Sequence, residues 1–272
     1  MKNIIIPVDF SKQSEFALKA GAILAKKHDA VLYILHMLEL SDSIISHSET
    51  DNKNEMLFML ALAKKKFAPF LGKEYLEGVK VKTMIKHHKV YKEVDLVAKE
   101  VDADLIIMGS HGLTAQDGIF AGSNAEKMVR NSKTPVLIIK SEPKEFELKN
   151  VVIATDLNPQ NTSVFSQKVA IFSALGSTIH PVYVNLPNNN FTSSKEFKEK
   201  VRVFAAAGGS NKVKFIAGYT VEDGLIQYAE ETNADLIAVS THARKGLNHF
   251  LKGSISEDLA NHAKLPVMTF KL

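Results

Sequence analysis

The chain carries one pattern twice. Asn3-Ile4-Ile5-Ile6-Pro7-Val8-Asp9 returns as Asn150-Val151-Val152-Ile153-Ala154-Thr155-Asp156, 147 positions later. Ala103-Asp104-Leu105-Ile106-Ile107-Met108-Gly109-Ser110-His111-Gly112 returns as Ala234-Asp235-Leu236-Ile237-Ala238-Val239-Ser240-Thr241-His242-Ala243, 131 positions later. The second register runs on without gaps, so Gly122-Ser123, Glu126 and Pro135 fall on Gly253-Ser254, Glu257 and Pro266. The change from 147 to 131 means that the second copy lacks 16 residues in its middle. A duplication turns a chain of 272 residues into two shorter folding problems. Each half, of roughly 140 residues, is long enough to bury a core of its own. The expected domains are 1–141 and 148–272, joined through the polar, proline-bearing Ser141-Glu142-Pro143-Lys144-Glu145.

Within each half, short apolar runs alternate with helical patterns. In the first half the runs are Ile4–Val8, Val31–Met37, Val79–Ile85, Leu105–Met108 and Val136–Ile139. Near-continuous Val, Ile and Leu without alternation predicts strands buried on both faces, as in a parallel sheet. Helices are expected at Ser11–Lys27, Glu49–Phe70, Val90–Val101 and Ser123–Asn131, with an irregular loop over Leu38–Asn54. In the second half the expected strands lie near Val151–Thr155, Thr178–Val184, Val213–Ala217, Leu236–Val239 and Val267–Phe270. Helices are expected there at Thr162–Ala174, Ser193–Ala207, Val221–Glu231 and Ser254–His262. Strand–helix alternation with right-handed crossovers gives a fold class of α/β: two Rossmann-like domains, each a mainly parallel five-stranded sheet with helices on both faces.

Composition narrows the chemistry. There is no cysteine, which excludes disulfides, thiolate catalysis and cysteine-based zinc sites. The net charge of +4 is small for this length, and Lys64-Lys65-Lys66 reads as a solvated helix face, so no nucleic-acid partner is expected. The apolar runs are too short to span a bilayer, and the first strand leaves no room for a signal peptide. No membrane association and a cytoplasmic location are the expectations. The ten histidines offer no recognisable ligand spacing: His87-His88 are neighbours that point to opposite faces of a strand, and no metal site is expected. No phosphate-loop lysine motif, no Gly-x-Gly-x-x-Gly and no nucleophile–base set can be read.

The segment that carries chemistry is Met108-Gly109-Ser110-His111-Gly112, which follows a buried strand and leads through Leu113–Ala121 to Gly122-Ser123 at a helix start. Glycines at a strand's end allow positive φ and close backbone approach to a ligand. A helix N-terminus favours an anion. Together they describe a phosphate cradle, or, more simply, a chain turn followed by a capped helix. His111 and His242 occupy the same loop position in both copies and could touch a ligand.

On these residues the chain resembles the universal stress protein family in its tandem two-domain form, and the resemblance covers both halves. The family motif is Gly, two residues, Gly, nine residues, Gly, then Ser or Thr; Gly109, Gly112, Gly122 and Ser123 match it at every position. The opening Ile-Ile-Pro-Val-Asp-Phe-Ser and the closing Thr134-Pro135-Val136-Leu137-Ile138-Ile139 are also similar to the family's. The resemblance implies a HUP-type fold, with the last strand of each half paired so that the chain forms an intrachain pseudo-dimer. It implies binding of ATP or another adenine nucleotide, chiefly in the first domain, by a stress-response sensor or regulator; Mg2+ enters as a cation that would offset the charge of Asp117 beside the phosphates. Asp9 would bond the ribose or adenine, Pro7 and Val8 would line the base pocket, and Met37 and Met108 would flank the base. Gly109, Gly112, Gly122, Ser123 and Asn124 would hold the phosphates, and Asp156, Gly253 and Ser254 are the counterparts of Asp9, Gly122 and Ser123 in the second copy. The alternatives are a nucleotide-free interaction scaffold and a slow ATPase, and a homodimer or an unidentified protein partner is left open. Asp117 adds negative charge near the expected phosphates, and Ser240 and Ala243 replace Gly109 and Gly112 in the second copy.

Overall fold

The computed structural model describes residues 1–38, 49–87, 90–110, 123–187, 191–241, 259 and 263–272. The chain divides into two compact units, one built from Met1–Met128 with Val136–Phe146 and the other from Val129–Pro135 with Glu147–Leu272.

The first unit runs β1 (Asn3–Val8), α1 (Lys12–His28), β2 (Val31–Leu38), α2 (Glu49–Leu71), β3 (Lys80–His87), α3 (Val90–Glu100), β4 (Leu105–Gly109), α4 (Ser123–Asn131, in this unit as far as Met128) and β5 (Val136–Ile139). All its ladders are parallel, in the order β3-β2-β1-β4-β5. The second unit runs β6 (Asn150–Ala154), α5 (Thr162–Ala174), β7 (Thr178–Asn185), α6 (Ser194–Ala206), β8 (Lys214–Ala217), α7 (Val221–Glu231), β9 (Leu236–Thr241) and β10 (Val267–Lys271). Its ladders are also parallel, in the order β10-β9-β6-β7-β8. In each unit the chain leaves the central strand in one direction, then crosses back and continues in the other. Right-handed crossovers made in opposite directions put helices on both faces of the sheet.

The apolar runs become the central strands because both of their faces are covered. Ile4, Ile5 and Ile6 of β1, Ile106 and Ile107 of β4, and Val151, Val152 and Ile153 of β6 have no exposed surface. Each such side chain contributes about 2 kcal/mol through removal from water. The outer strand β3 instead carries Lys80, Lys82 and Lys86, charges that discourage pairing of a sheet edge with another chain.

The duplication is visible in the backbone. Three junctions enter the left-handed region in both copies at the same register: Phe10 (φ 65°) and Leu157 (φ 59°), Asp29 (φ 49°) and Gly176 (φ 76°), Asp102 (φ 47°) and Asn233 (φ 46°). A bulky side chain in that region carries strain, which persists only where the surrounding structure imposes it. Phe10 is held by a T-shaped contact to Phe67 at 5.1 Å, and another to Phe70 at 5.4 Å between ring centres. Beneath both sheets an aspartate ties the start of the central strand. Asp104 Oδ2 accepts from the backbone N–H of Asn3 at 3.1 Å, and Asp235 Oδ2 accepts from Asn150 at 2.8 Å.

The elements match the expected runs to within a residue or two, with informative shifts. Ser11 and Ser193 are not helical but cap α1 and α6, accepting from the backbone N–H of Ser14 at 3.1 Å and of Glu196 at 3.3 Å. The strand expected to end at Ile85 continues to His87, paired with β2 throughout. A short 3-10 turn at Pro159–Asn161 replaces the first turn that α1 makes in the other copy. The loop expected over Leu38–Asn54 is partly helix, because α2 begins at Glu49; positions 39–48 lie outside the described residues. Of the helix expected at Ser254–His262, only Leu259 is described, and it is fully buried.

Replacing Asp104 or Asp235 by alanine is expected to cost about 1–2 kcal/mol each, because either change leaves a strand-start N–H without its carboxylate. Urea denaturation of the two variants measures this loss in each copy.

Candidate functional site

The carboxyl edge of each sheet, where strand order reverses, is where open α/β sheets receive ligands. In the first unit that point lies between β1 and β4. Pro7 and Val8 end β1 and are buried, and Asp9 follows at the edge, half-buried. Met37 in β2 and Met108 in β4 are each 7% exposed, at the border between core and edge. Gly109 is the last residue of β4, Ser123 is the first of α4, and Asn124 is half-buried in the first turn of that helix. The fold therefore gathers Pro7, Val8, Asp9, Met37, Met108 and Gly109 along the ends of three neighbouring strands. His111, Gly112 and Gly122 lie outside the described residues, as do Gly253 and Ser254 in the second copy.

Two of these residues also have structural work. The Oδ1 of Asp9 accepts from the backbone N–H of Ser11 at 3.0 Å, an Asx turn that leads the chain into α1. Asp156 repeats it, accepting from Asn158 at 3.0 Å, while its Oδ2 accepts from the side-chain amide of Asn161 at 2.7 Å. At Gly109 a Cβ would lie 2.6 Å from the carbonyl oxygen of Gln13, in the first turn of α1. Close packing of a helix on a strand is therefore enough to require this glycine, with no ligand needed. Ser240 holds the equivalent place in the second copy.

A histidine that sequence reasoning passed over belongs to the same edge. His36 of β2 has Nδ1 at 2.8 Å from the carbonyl oxygen of Val8, so Nδ1 carries the proton, and its ring sits 4.5 Å from that of Phe10. The imidazole thus braces the turn that presents Asp9.

The second unit has a half-open cavity of about 540 Å3 at the same edge. Apolar walls come from Phe165, Val182, Val184 and Val239, and polar groups from Asp156, Lys168, Tyr183, Thr192, Lys200 and Ser240. On one side Thr192 is the hub. It donates its backbone N–H to Asn185 Oδ1 at 2.8 Å, while its hydroxyl meets Tyr183 Oη at 2.9 Å and Lys200 Nζ at 3.1 Å. On the other side Lys168 is 1% exposed. It stands on the stripe Phe165, Lys168, Phe172 by which α5 is buried. Its ammonium donates to the carbonyl oxygen of Ala154 at 3.2 Å and lies 5.9 Å from the centre of the Phe270 ring. Burial pulls its pKa down to about 7, and the charge of Asp156 opposes that only in part. The residue 147 positions earlier is Gly21, where a Cβ would meet Ile6 Cδ1 at 2.4 Å. Aligning the copies was the signal that could have singled out Lys168. Among the described residues no cluster of three or more potential metal ligands occurs, and no helix is long and apolar enough to cross a membrane.

The universal stress protein family model matches residues 1–140 and again 147–271. The chain belongs to the universal stress protein family. The two matches account for nearly all of it, as a tandem repeat. Among curated members, universal stress protein MJ0531 of Methanocaldococcus jannaschii is 32% identical over 146 residues, which is 53% of this chain and 85% of the relative. Universal stress protein MJ0577 of the same organism is 31% identical over 154 residues, 51% of this chain and 94% of the relative. The similarity to these shorter relatives thus spans about one repeat. A solved universal stress protein from Archaeoglobus fulgidus superposes along the whole length, with a TM-score of 0.72 at 20% identity, covering 99% of this chain and 96% of that one. At that identity the likeness speaks for the fold.

Two stability outcomes follow from the geometry. Gly109→Ala should destabilise the ligand-free protein by about 1–3 kcal/mol, since backbone of α1 must move to admit the methyl group; thermal or urea unfolding measures it. Lys168 is deprotonated more easily in the folded chain than in the unfolded one, so folding expels a proton between pH 7 and about 10.5, and stability rises with pH across that window. Lys168→Met should therefore be the more stable protein near pH 7, with its advantage shrinking by up to about 1.4 kcal/mol per pH unit as pH rises.

Proposed function

We propose that the first unit binds an adenine nucleotide, ATP or a close relative, along the ends of β1, β2 and β4, and that this occupancy lets the protein act as a sensor or regulator in a stress response. The observation that carries this reading is the convergence of Asp9, Met37, Met108 and Gly109 at the sheet's switch point, with the N-terminus of α4 following the motif loop. The chemistry fits. Met37, Met108, Pro7 and Val8 offer apolar surface to a flat base, and the Asp9 carboxylate can accept from an amino or hydroxyl group. The first turn of α4, with Ser123 and Asn124, can offer backbone N–H groups to phosphate oxygens. A bound Mg2+ would offset the negative charge of Asp117 in the motif loop, which lies outside the described residues.

A second reading is favoured by the close approach of Gln13 to Gly109: the glycine is there for packing, and the chain is a nucleotide-free scaffold for another protein. Substituting Gly109 cannot separate the readings, because both expect damage. Asp9→Asn can. It keeps an oxygen for the Ser11 N–H but exchanges the other for a donor. Calorimetric titration with ATP and Mg2+ is expected to show saturable binding to the wild-type chain, weakened about tenfold or more in Asp9→Asn with thermal stability little changed. Absence of binding to the wild type favours the scaffold.

A further inference from the structure

The cavity of the second unit has a feature that the first unit lacks at the matching position, and that nucleotide binding does not require. A lysine occupies the buried stripe of α5, between Phe165 and Phe172, where α1 has Gly21 between Leu18 and Ala25. Its only hydrogen bond among the described residues runs to a neutral carbonyl oxygen, that of Ala154. Among the described residues no carboxylate forms an ion pair with it; Asp156 acts on it through space while its own oxygens serve Asn158 and Asn161. An amine that is walled by phenylalanine and valine and lacks a paired counter-ion is poorly placed as a permanent cation. It is well placed as a nucleophile, because desolvation favours the neutral form that carries the lone pair.

We propose that the second unit is a carbonyl-capture site, in which the cavity takes a small aldehyde or ketone with an apolar or aromatic body and Lys168 forms an imine with it. The Nζ lone pair attacks the carbonyl carbon, and a proton passes from nitrogen to oxygen to give a carbinolamine. The carbon–oxygen bond then breaks with loss of water, leaving the carbon–nitrogen double bond. No oxidant or reductant is consumed. Asp156 and Ser240 line the same cavity and supply oxygens through which protons can move, and Phe165, Val182 and Val239 cover the body of the ligand. The pKa of about 7 at Lys168 agrees with a largely neutral amine at physiological pH. The other titratable side chains lining the cavity are Asp156, Tyr183 and Lys200, and Leu272 also borders it. Lys200 is solvent-exposed and serves as an internal control.

The test is reductive trapping on the full chain. The protein is incubated with benzaldehyde and sodium cyanoborohydride near neutral pH, and the rate of N-benzylation at each lysine is read by peptide mass spectrometry. Lys168 should be modified about tenfold or more faster than Lys200, and Lys168→Arg, with an unchanged circular dichroism spectrum, should lose only that adduct. Modification of Lys168 no faster than of Lys200 overturns the proposal. So does full protection of Lys168 by ATP with Mg2+, which would make the cavity a nucleotide site instead. If Lys168→Arg is misfolded, the wild-type comparison of Lys168 with Lys200 decides the matter, and Lys200→Arg, in which Lys168 should react at its wild-type rate, is the control; a slowed Lys168 adduct there overturns the proposal. The outcome is independent of nucleotide binding in the first unit, which is read by the titration of Asp9→Asn.

Discussion

The structure depends on burying one strand on both of its faces. β1 in the first unit and β6 in the second are flanked by parallel neighbours on either side and exclude water from their central isoleucines and valines. A parallel neighbour can be reached only through a crossover, and crossovers of one hand made in both directions leave the chain spreading outward from that strand. The carboxyl end of the central strand is therefore left as a crevice with helix starts around it. Function is sited there because the constraint that builds the core also builds the opening.

What the chain places in that crevice has two purposes that are hard to separate. Asp9 turns the backbone into α1 and also stands at the edge. Gly109 leaves room for Gln13 and also ends the strand beside the motif loop. The strained junctions at Phe10 and Leu157 survive in both copies although their side chains differ, which ties the strain to the strand–helix turn rather than to either residue. Conversely, what differs between copies at equal backbone geometry marks divergence of use. Gly21 against Lys168 and His36 against Tyr183 change the lining of the edge while leaving the sheets alike.

Most of the fold could be read from the chain. Runs such as Ile4–Ile6 and Leu105–Ile107 are apolar without alternation because both faces are covered, and that pattern is visible without coordinates. Boundaries were harder. Ser11 and Ser193 suit the start of a helix as well as its cap, and only the backbone geometry shows them to be caps. The candidate site was partly legible: the positions of Asp9, Met37, Met108 and Gly109 follow from strand order. The double duty of Gly109 did not, because the atom it makes room for belongs to Gln13, far away in sequence.

By itself the sequence determined the duplication, the α/β class, the strand runs and the family, since each of these is written in local spacing and in the register of one copy against the other. The tertiary structure alone decided which edge residues are occupied with their own turns and that Lys168 is a core residue lining a cavity. A lysine on a helix reads as solvent-facing until the sheet beneath it is in place. Burial is a property of the packed unit, and it favours the neutral form of an amine that would be charged on the surface.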